Sequence, residues 1–176
     1  MKVIVVNGYP RSGKDTFCKF GEEKYDCVNY STVDTVKLLA TIMGWDGTKT
    51  PENRAMLSAL KDFTTEWFDM TYVEMTDLIK NAVMYEENNN DHVDFIFLHI
   101  REGKEIERIR DWCVENDVDC KLVCIEKDSV VEEQSNHADA NIHHIKYDTY
   151  LKNYGTLEEF KDITLNYLDS LVKTGD

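Results

Sequence analysis

The chain has little positive charge and no long apolar run, and each shortage excludes a class of protein. Its 176 residues include 34 acidic and 20 basic ones, which gives a net charge of −14. A surface this acidic disfavours binding to nucleic acid or to anionic membranes. No apolar stretch is long enough to span a bilayer, and the first apolar run is too short for a signal peptide. We therefore expect a cytoplasmic protein without membrane or nucleic-acid partners.

The cysteines form no paired motif, and the chain has no linker or internal repeat. The five cysteines are an odd number and form no Cys-x-x-Cys pair, so we expect them to be reduced and mostly buried. No spacing of histidine and cysteine fits a zinc site. The length is that of one domain with a full core. We therefore predict a single domain over residues 1–176.

The clearest motif lies in residues 2–16. A run of β-branched residues at 3–6 predicts a strand buried on both faces. Gly8 and Gly13 follow with four residues between them, and Lys14 comes directly after, which is the spacing of a phosphate-binding loop (Walker A). Glycines let the backbone N–H groups turn toward phosphate, the helix N-terminus adds partial positive charge, and Lys14 supplies a point charge. The predicted nucleotide-binding residues are Gly8, Arg11, Ser12, Gly13, Lys14, Asp15 and Thr16.

The loop departs from the strict motif at the residue after Lys14. That position normally carries a Ser or Thr whose hydroxyl binds Mg²⁺, but here it is Asp15, with Thr16 next. Either Asp15 binds Mg²⁺ directly or through water, or Thr16 does so and Asp15 orients Lys14. A carboxylate so close to phosphates is repelled unless a cation intervenes. We therefore expect ATP binding to depend strongly on Mg²⁺, the one predicted cofactor.

The rest of the chain alternates strands and helices. Strands are predicted at 2–7, 27–30, 95–100, 120–125 and 147–151, with helices at about 13–25, at 105–115 and after residue 156. Helix starts are predicted at Ser31 with Asp34, at Thr50-Pro51, at Thr71 with Glu74, and at Thr156 with Glu159. This order favours an α/β fold with a five-stranded parallel sheet and helices on both faces. Residues 31–87 would form a helical acceptor-binding insertion, and residues 126–145 a lid-like segment.

Several stretches together resemble a known family. They are Ser-Gly-Lys-Asp-Thr at 12–16, Ser-Thr-Val-Asp-Thr-Val-Lys at 31–37, Phe-Leu-His-Ile-Arg-Glu at 97–102, and the segment 147–159. The chain resembles P-loop kinases of the nucleoside-monophosphate-kinase group, especially bacterial and phage deoxynucleoside-monophosphate-kinase-like proteins, and more distantly phosphomevalonate kinase. The resemblance implies a P-loop NTPase three-layer α/β/α sandwich, ATP as donor, Mg²⁺, and a small phosphorylated acceptor. Two departures are His99, where relatives tend to have an acid, and the absence of arginine from 126–145.

Few arginines are available to hold a transferring phosphate. Arg101 ends a buried strand on the edge where this architecture binds ligands, so we expect it to contact the acceptor and to act in catalysis. The alternative for Arg101 is a surface ion pair. Arg54 and Lys37 are further acceptor candidates, with a solvated helix face as the alternative for each, and Lys61 is a weaker one. Arg108 and Arg110 are interpreted as structural.

Aromatic and histidine side chains leave alternatives open. Trp67, Phe68 and Tyr72 could stack on a base, but aromatic residues at helical spacing more often form core, and we favour core. His99 is either a contact of the acceptor or a buried, hydrogen-bonded histidine.

The pattern as a whole predicts ATP-dependent phosphoryl transfer to a small phosphorylated acceptor, a (deoxy)nucleoside monophosphate being favoured. One alternative is a nucleotide-binding sensor or slow NTPase without kinase activity, and another is a kinase of a non-nucleotide phosphate. The predicted partners are ATP and the acceptor, and a homodimer is left open.

Overall fold

The computed structural model describes residues 1–89, 92–127 and 145–173. The strands are β1 (Lys2–Asn7), β2 (Cys27–Ser31), β3 (Phe95–His99), β4 (Cys120–Glu126) and β5 (Thr149–Lys152). The helices are α1 (Lys14–Glu22), α2 (Asp34–Ile42), α3 (Pro51–Phe68), α4 (Met70–Asn89), α5 (Gly103–Glu115) and α6 (Leu157–Lys173).

The five strands form one parallel sheet in the order β2-β3-β1-β4-β5. This confirms the predicted α/β fold with a five-stranded parallel sheet. The register places Val6 beside His99 and Ser31 beside His99, while Asn7 lies beside Cys124. The carboxyl ends of the four strands β1 to β4 therefore meet at one edge of the sheet.

The strand run at 3–6 is buried on both faces, as predicted. Val3 and Val5 pack with α4 and α5, whereas Ile4 and Val6 pack with α1 and α6. All four side chains are at most 1% exposed. Because successive side chains of a strand point to opposite faces, the two clusters lie on either side of the sheet and make three layers.

The helical region between β2 and β3 runs from Asp34 to Asn89 rather than over 31–87. Ser31 belongs to β2, so it does not cap the helix. Its backbone N–H donates to the Asp34 carboxylate at 3.2 Å, but the residue at the N-cap of α2 is Val33. The caps predicted at Thr50 and at Thr156 with Glu159 are confirmed by their hydrogen bonds.

The predicted cap at Thr71 is wrong. α4 already begins at Met70, because Asp69 alone makes the corner between α3 and α4 in a left-handed conformation (φ 50°). The Asp69 carboxylate accepts two hydrogen bonds from Arg108 of α5, at 2.7 and 2.5 Å. This contact holds the corner against α5 and leaves Thr71 inside the first turn of α4.

Two aromatic side chains that we expected in the core lie on the surface. Trp67 is 70% and Phe68 65% exposed. Tyr72, by contrast, is partly buried, with the Arg108 guanidinium 3.9 Å from its ring centre. Periodicity shows which residues share a face of a helix, but not whether another element covers that face.

The lid-like segment falls mostly outside the described residues. Glu126 ends β4 and Lys127 follows it, while residues 128–144, with His137, His143 and His144, are not described. All five cysteines are free thiols, as predicted. Within the described ranges, no helix is long and apolar enough to cross a membrane.

Candidate functional site

The loop between β1 and α1 is shaped by two glycines in left-handed conformations. Gly8 has a φ of 139° and Gly13, the N-cap of α1, a φ of 108°. A Cβ atom on Gly8 would lie 2.4 Å from the carbonyl oxygen of Ile125, and one on Gly13 would lie 2.5 Å from Nδ2 of Asn153. Neither position has room for a side chain, so both glycines are required for this backbone path. Arg11, between them, also has a positive φ of 64° and an exposed side chain.

The Lys14 side chain lies within this loop. It is only 8% exposed, and its Nζ donates to the carbonyl oxygens of Gly8 at 2.7 Å and Tyr9 at 2.8 Å. The ammonium group and the N-terminus of α1 therefore place positive charge at the same point. This is the arrangement that binds a phosphate group.

Polar side chains next to the loop hold its backbone through hydrogen bonds. Asn7 is fully buried, and its Oδ1 accepts from the backbone N–H of Gly8 at 2.7 Å. Within the described part of the chain, Nδ2 of Asn7 and Oγ of Ser12 have no hydrogen-bond partner. Asn153, which follows β5, donates from Nδ2 to the carbonyl oxygen of Ser12 at 2.8 Å, and its N–H donates to Glu126 at 2.7 Å. Asn153 therefore ties the loop to the ends of β4 and β5.

A cavity of about 340 Å³ adjoins the loop at the carboxyl ends of β2 and β3. Six residues from four elements line it: Asp15, Asn29, Ser31, Asp34, Lys37 and His99. A larger cavity of about 400 Å³ lies between α5, β4 and residues 145–146. None of the predicted site residues lines the larger cavity, so we place the candidate site at the smaller one.

His99 forms the wall of the cavity nearest to α1. Its Nε2 lies 2.9 Å from Oδ1 of Asn29 and 3.3 Å from Sγ of Cys18, and its Nδ1 lies 3.8 Å from Oδ1 of Asp15. Burial lowers the pKa of His99, and the Lys14 charge lowers it further, although Asp15 opposes both. The ring is therefore neutral at physiological pH. An N–H donated from Nε2 to Asn29 leaves Nδ1 as an acceptor toward the cavity. His99 is thus both hydrogen-bonded and part of the cavity wall.

The cavity has more negative than positive charge. Asp15, in the first turn of α1, has a fully exposed side chain. Lys37 pairs with Asp34 at 2.8 Å, one helical turn earlier. Carboxylate and hydroxyl oxygens are ligands that suit Mg²⁺, so an exposed Asp15 beside the loop, followed by Thr16, fits a magnesium ion.

The remaining predicted residues do not line the cavity. Arg101 is partly exposed and follows Ile100, which is fully buried, on the same edge of the sheet. Arg54 is exposed near the start of α3, and it does not line the cavity. Lys61 pairs with Glu102 at 2.5 Å. Arg108 bonds Asp69 and Glu105, and Arg110 lies 3.5 Å from Asp148.

Two asparagines of the site were not singled out by sequence reasoning. Asn29 is a polar residue inside a short strand, and that is the only signal it gave. Asn153 lies 141 residues from the loop carbonyl it bonds, so no local pattern could connect the two.

Comparisons with known proteins show similarity in structure only. No family model matches the chain, and no curated protein matches it. A candidate kinase from Chloroflexus aurantiacus is 12% identical over 99% of this chain and 97% of its own, with a TM-score of 0.57. The tunicamycin resistance protein of Deinococcus radiodurans is 10% identical over 95% and 96%, with a TM-score of 0.55. A de novo designed protein with a P-loop NTPase fold aligns at 12% identity over 97% and 91%, with a TM-score of 0.43. With its parallel sheet and the loop that follows β1, this chain has the P-loop NTPase fold.

Proposed function

We propose that the chain is an ATP-dependent kinase that transfers the γ-phosphoryl group to a small phosphorylated acceptor, a nucleoside monophosphate being the favoured class. One observation carries the proposal. The Lys14 ammonium lies inside a loop closed by two left-handed glycines, and a cavity lined by Asp15 and Lys37 opens beside it. A donor phosphate in the loop would therefore have room for an acceptor next to it.

The donor half of the reaction follows from the loop. Phosphoryl transfer needs little covalent chemistry from the protein, so positioning and neutralisation of charge supply most of the catalysis. The loop N–H groups and the N-terminus of α1 would hold the phosphates. Lys14 would exchange its bonds to the carbonyl oxygens of Gly8 and Tyr9 for bonds to the β- and γ-phosphates. The hydroxyl of Ser12, which has no partner within the described residues, is a further donor.

Asp15 and Thr16 are the residues that would hold Mg²⁺. Bound there, the ion would neutralise charge on the transferring phosphates. Asp15 suits this role because its side chain is fully exposed and lies in the first turn of α1.

The acceptor half rests on one cation in the cavity wall and on two arginines that do not line it. Lys37 lies on its wall, and we assign the acceptor phosphate to Lys37, Arg101 and Arg54. Asn29 and Ser31 offer hydrogen bonds to the rest of the acceptor. An acceptor that is already a phosphate needs no strong general base, which agrees with a neutral His99.

One observation favours a second candidate, a nucleotide-binding sensor or slow NTPase. Lys37 is already paired with Asp34, and Asp15 adds another negative charge to the cavity. Residues 126–145 contain no arginine that could hold the moving group. A kinase of a non-nucleotide phosphate is the third candidate.

A screen of acceptors separates the three candidates. The chain is incubated with Mg²⁺ and γ-labelled ATP, together with each common nucleoside and deoxynucleoside monophosphate, phosphorylated sugars, or phosphomevalonate. The proposal expects a labelled nucleoside diphosphate with one or a few monophosphates. A chain that binds ATP but labels none of the acceptors is a sensor or slow NTPase, and labelling of phosphomevalonate alone supports the third candidate.

A further inference from the structure

Glu102 stands at the N-terminus of a helix, but its side chain does not cap that helix. It is the N-cap residue of α5, and its carbonyl oxygen accepts from the N–H of Ile106 at 3.0 Å. N-caps favour Ser, Thr, Asp and Asn, whose short side chains bond the first turn of the helix. The Glu102 side chain makes no such bond. It reaches instead to α3, where its Oε1 lies 2.5 Å from Nζ of Lys61.

The pair is shielded from water on the lysine side. The Lys61 side chain is 14% exposed and the Glu102 side chain 34%. Burial raises the pKa of Glu102, but the Lys61 charge and the backbone N–H groups of Arg101 and Glu102 outweigh it, so the pKa is lowered. Oε2 of Glu102 is buried and accepts no hydrogen bond from the residues that the structure describes. A charge in these surroundings depends on Lys61 and on these backbone N–H groups.

The pair also lies next to Arg101 in the chain. On one side of Arg101 is Ile100, which is fully buried in the core cluster of α4 and α5. On the other side is Glu102, held by α3. The backbone of Arg101 is therefore fixed at both ends.

The helix that holds Glu102 is the one that carries Arg54. Lys61 and Arg54 are seven residues apart, which places them on the same face of α3, separated by about 10 Å along the helix. The pair therefore connects the strand end at Arg101 with the face of α3 from which Arg54 projects.

We propose that Lys61 and Glu102 are positioning residues that fix the backbone of Arg101 relative to α3 for the acceptor contact assigned to Arg101 above. The inference deepens the proposed function and rests on it. The contrasting case is Arg108 with Asp69, an ion pair that also joins α5 to the helical region but lies at the corner between α3 and α4. The Arg108 guanidinium bonds Asp69 and Glu105, and neither of these bonds involves residues 100–102.

The test compares Lys61→Met, Glu102→Gln and the double variant with the matched control Asp69→Asn. Met keeps most of the apolar length of lysine, Gln keeps the shape of glutamate, and Asn tolerates the left-handed backbone at 69. Steady-state kinetics give kcat and KM for the acceptor and for ATP. Because a small misplacement of a positioning group has a large effect on rate, each single variant should lower acceptor kcat/KM about tenfold or more. The KM for ATP should stay within about twofold of the original value, since the loop is untouched.

The double variant tells a joint role from two separate ones. If the residues act as one unit, the double variant is no worse than the worse single variant. Asp69→Asn should retain acceptor kcat/KM. The inference is overturned if Lys61→Met and Glu102→Gln behave like Asp69→Asn, or if they raise KM for ATP and leave the acceptor unaffected.

A second readout does not depend on transfer. Amide hydrogen exchange at residues 101 and 102 should become faster in Lys61→Met and Glu102→Gln, but not in Asp69→Asn. Unchanged exchange would overturn the positioning role even if rates fell. If the unmodified chain phosphorylates no acceptor, the proposed function fails, while exchange still decides whether the pair fixes Arg101.

Discussion

Replacing Asn153 by alanine should weaken ATP binding although Asn153 follows β5 and lies far from the loop in sequence. Its Nδ2 donates to the carbonyl oxygen of Ser12 at 2.8 Å, and its N–H is anchored on Glu126 at 2.7 Å. The same Nδ2 lies against Gly13, where it leaves no room for a Cβ atom. Asn153→Ala removes both this hydrogen bond and the contact with Gly13. The carbonyl oxygen of Ser12 then lacks this hydrogen-bond donor.

The size of the effect follows from that hydrogen bond. Losing it with its partner left partly buried costs about 1–2 kcal/mol. For a domain of this size, that cost lowers the melting temperature by about 2–8 °C. If ATP binding must first restore the loop, the same free energy raises the dissociation constant for ATP by about 5- to 30-fold.

Two measurements and one control check this prediction. Calorimetry with Mg-ATP gives the dissociation constant, and thermal unfolding gives the stability. The control is Asn116→Ala, which removes an equivalent bond from Nδ2 to the carbonyl oxygen of Trp112, at 2.7 Å, at the far end of α5. The control should lose a little stability and no ATP affinity. An Asn153→Ala protein that binds ATP as tightly as the unmodified chain would refute the proposed role of Asn153 in shaping the loop.

Three further predictions concern charges. Chelation of Mg²⁺ with EDTA should strongly weaken ATP binding, and the loss should be smaller in Asp15→Ser; equal binding of free ATP and Mg-ATP by the unmodified chain would contradict this. Arg101→Lys should slow phosphoryl transfer to the acceptor, because lysine cannot bind phosphate in bidentate fashion. The rate should fall by about 10²-fold if the contact forms mainly in the transition state. A change in ATP affinity alone would place Arg101 at the donor site. The Arg108 hydrogen bonds lower the pKa of Asp69 from its usual 3.8, so this carboxylate contributes stability above pH 3.8 that is lost as the pH falls through its lowered pKa. Because the pair is partly exposed, Asp69→Asn should cost up to about 1 kcal/mol at neutral pH, and urea unfolding should show the difference from the unmodified chain disappearing in acid.

The sheet and the loop could be predicted from sequence because their signals are local. A β-branched run at 3–6 gives a strand buried on both faces, and the spacing of Gly8, Gly13 and Lys14 is itself the motif. The caps at Thr50 and Thr156 are local signals of the same kind.

The missed features depend on contacts between distant residues. Asp69 ends α3 in a left-handed conformation, and its carboxylate is bonded by Arg108, 39 residues away, so the start of α4 could not be predicted from Thr71 and Glu74. Trp67 and Phe68 have the spacing of core residues, but no described element covers their face. The cavity brings Asp15, Asn29 and His99 together from three elements, and only the register of β2 and β3 and the start of α1 show that they meet.

The central claim is that Lys14 carries phosphoryl transfer, and the most direct test is a transfer assay on Lys14→Ala. The variant is assayed with γ-labelled ATP, Mg²⁺ and the best acceptor from the screen, alongside Lys19→Ala, which removes an exposed lysine from the same helix. Circular dichroism and thermal unfolding establish that both variants are folded. The account predicts that Lys14→Ala loses transfer while Lys19→Ala retains it. A folded Lys14→Ala protein that transfers phosphate at the unmodified rate would contradict the account.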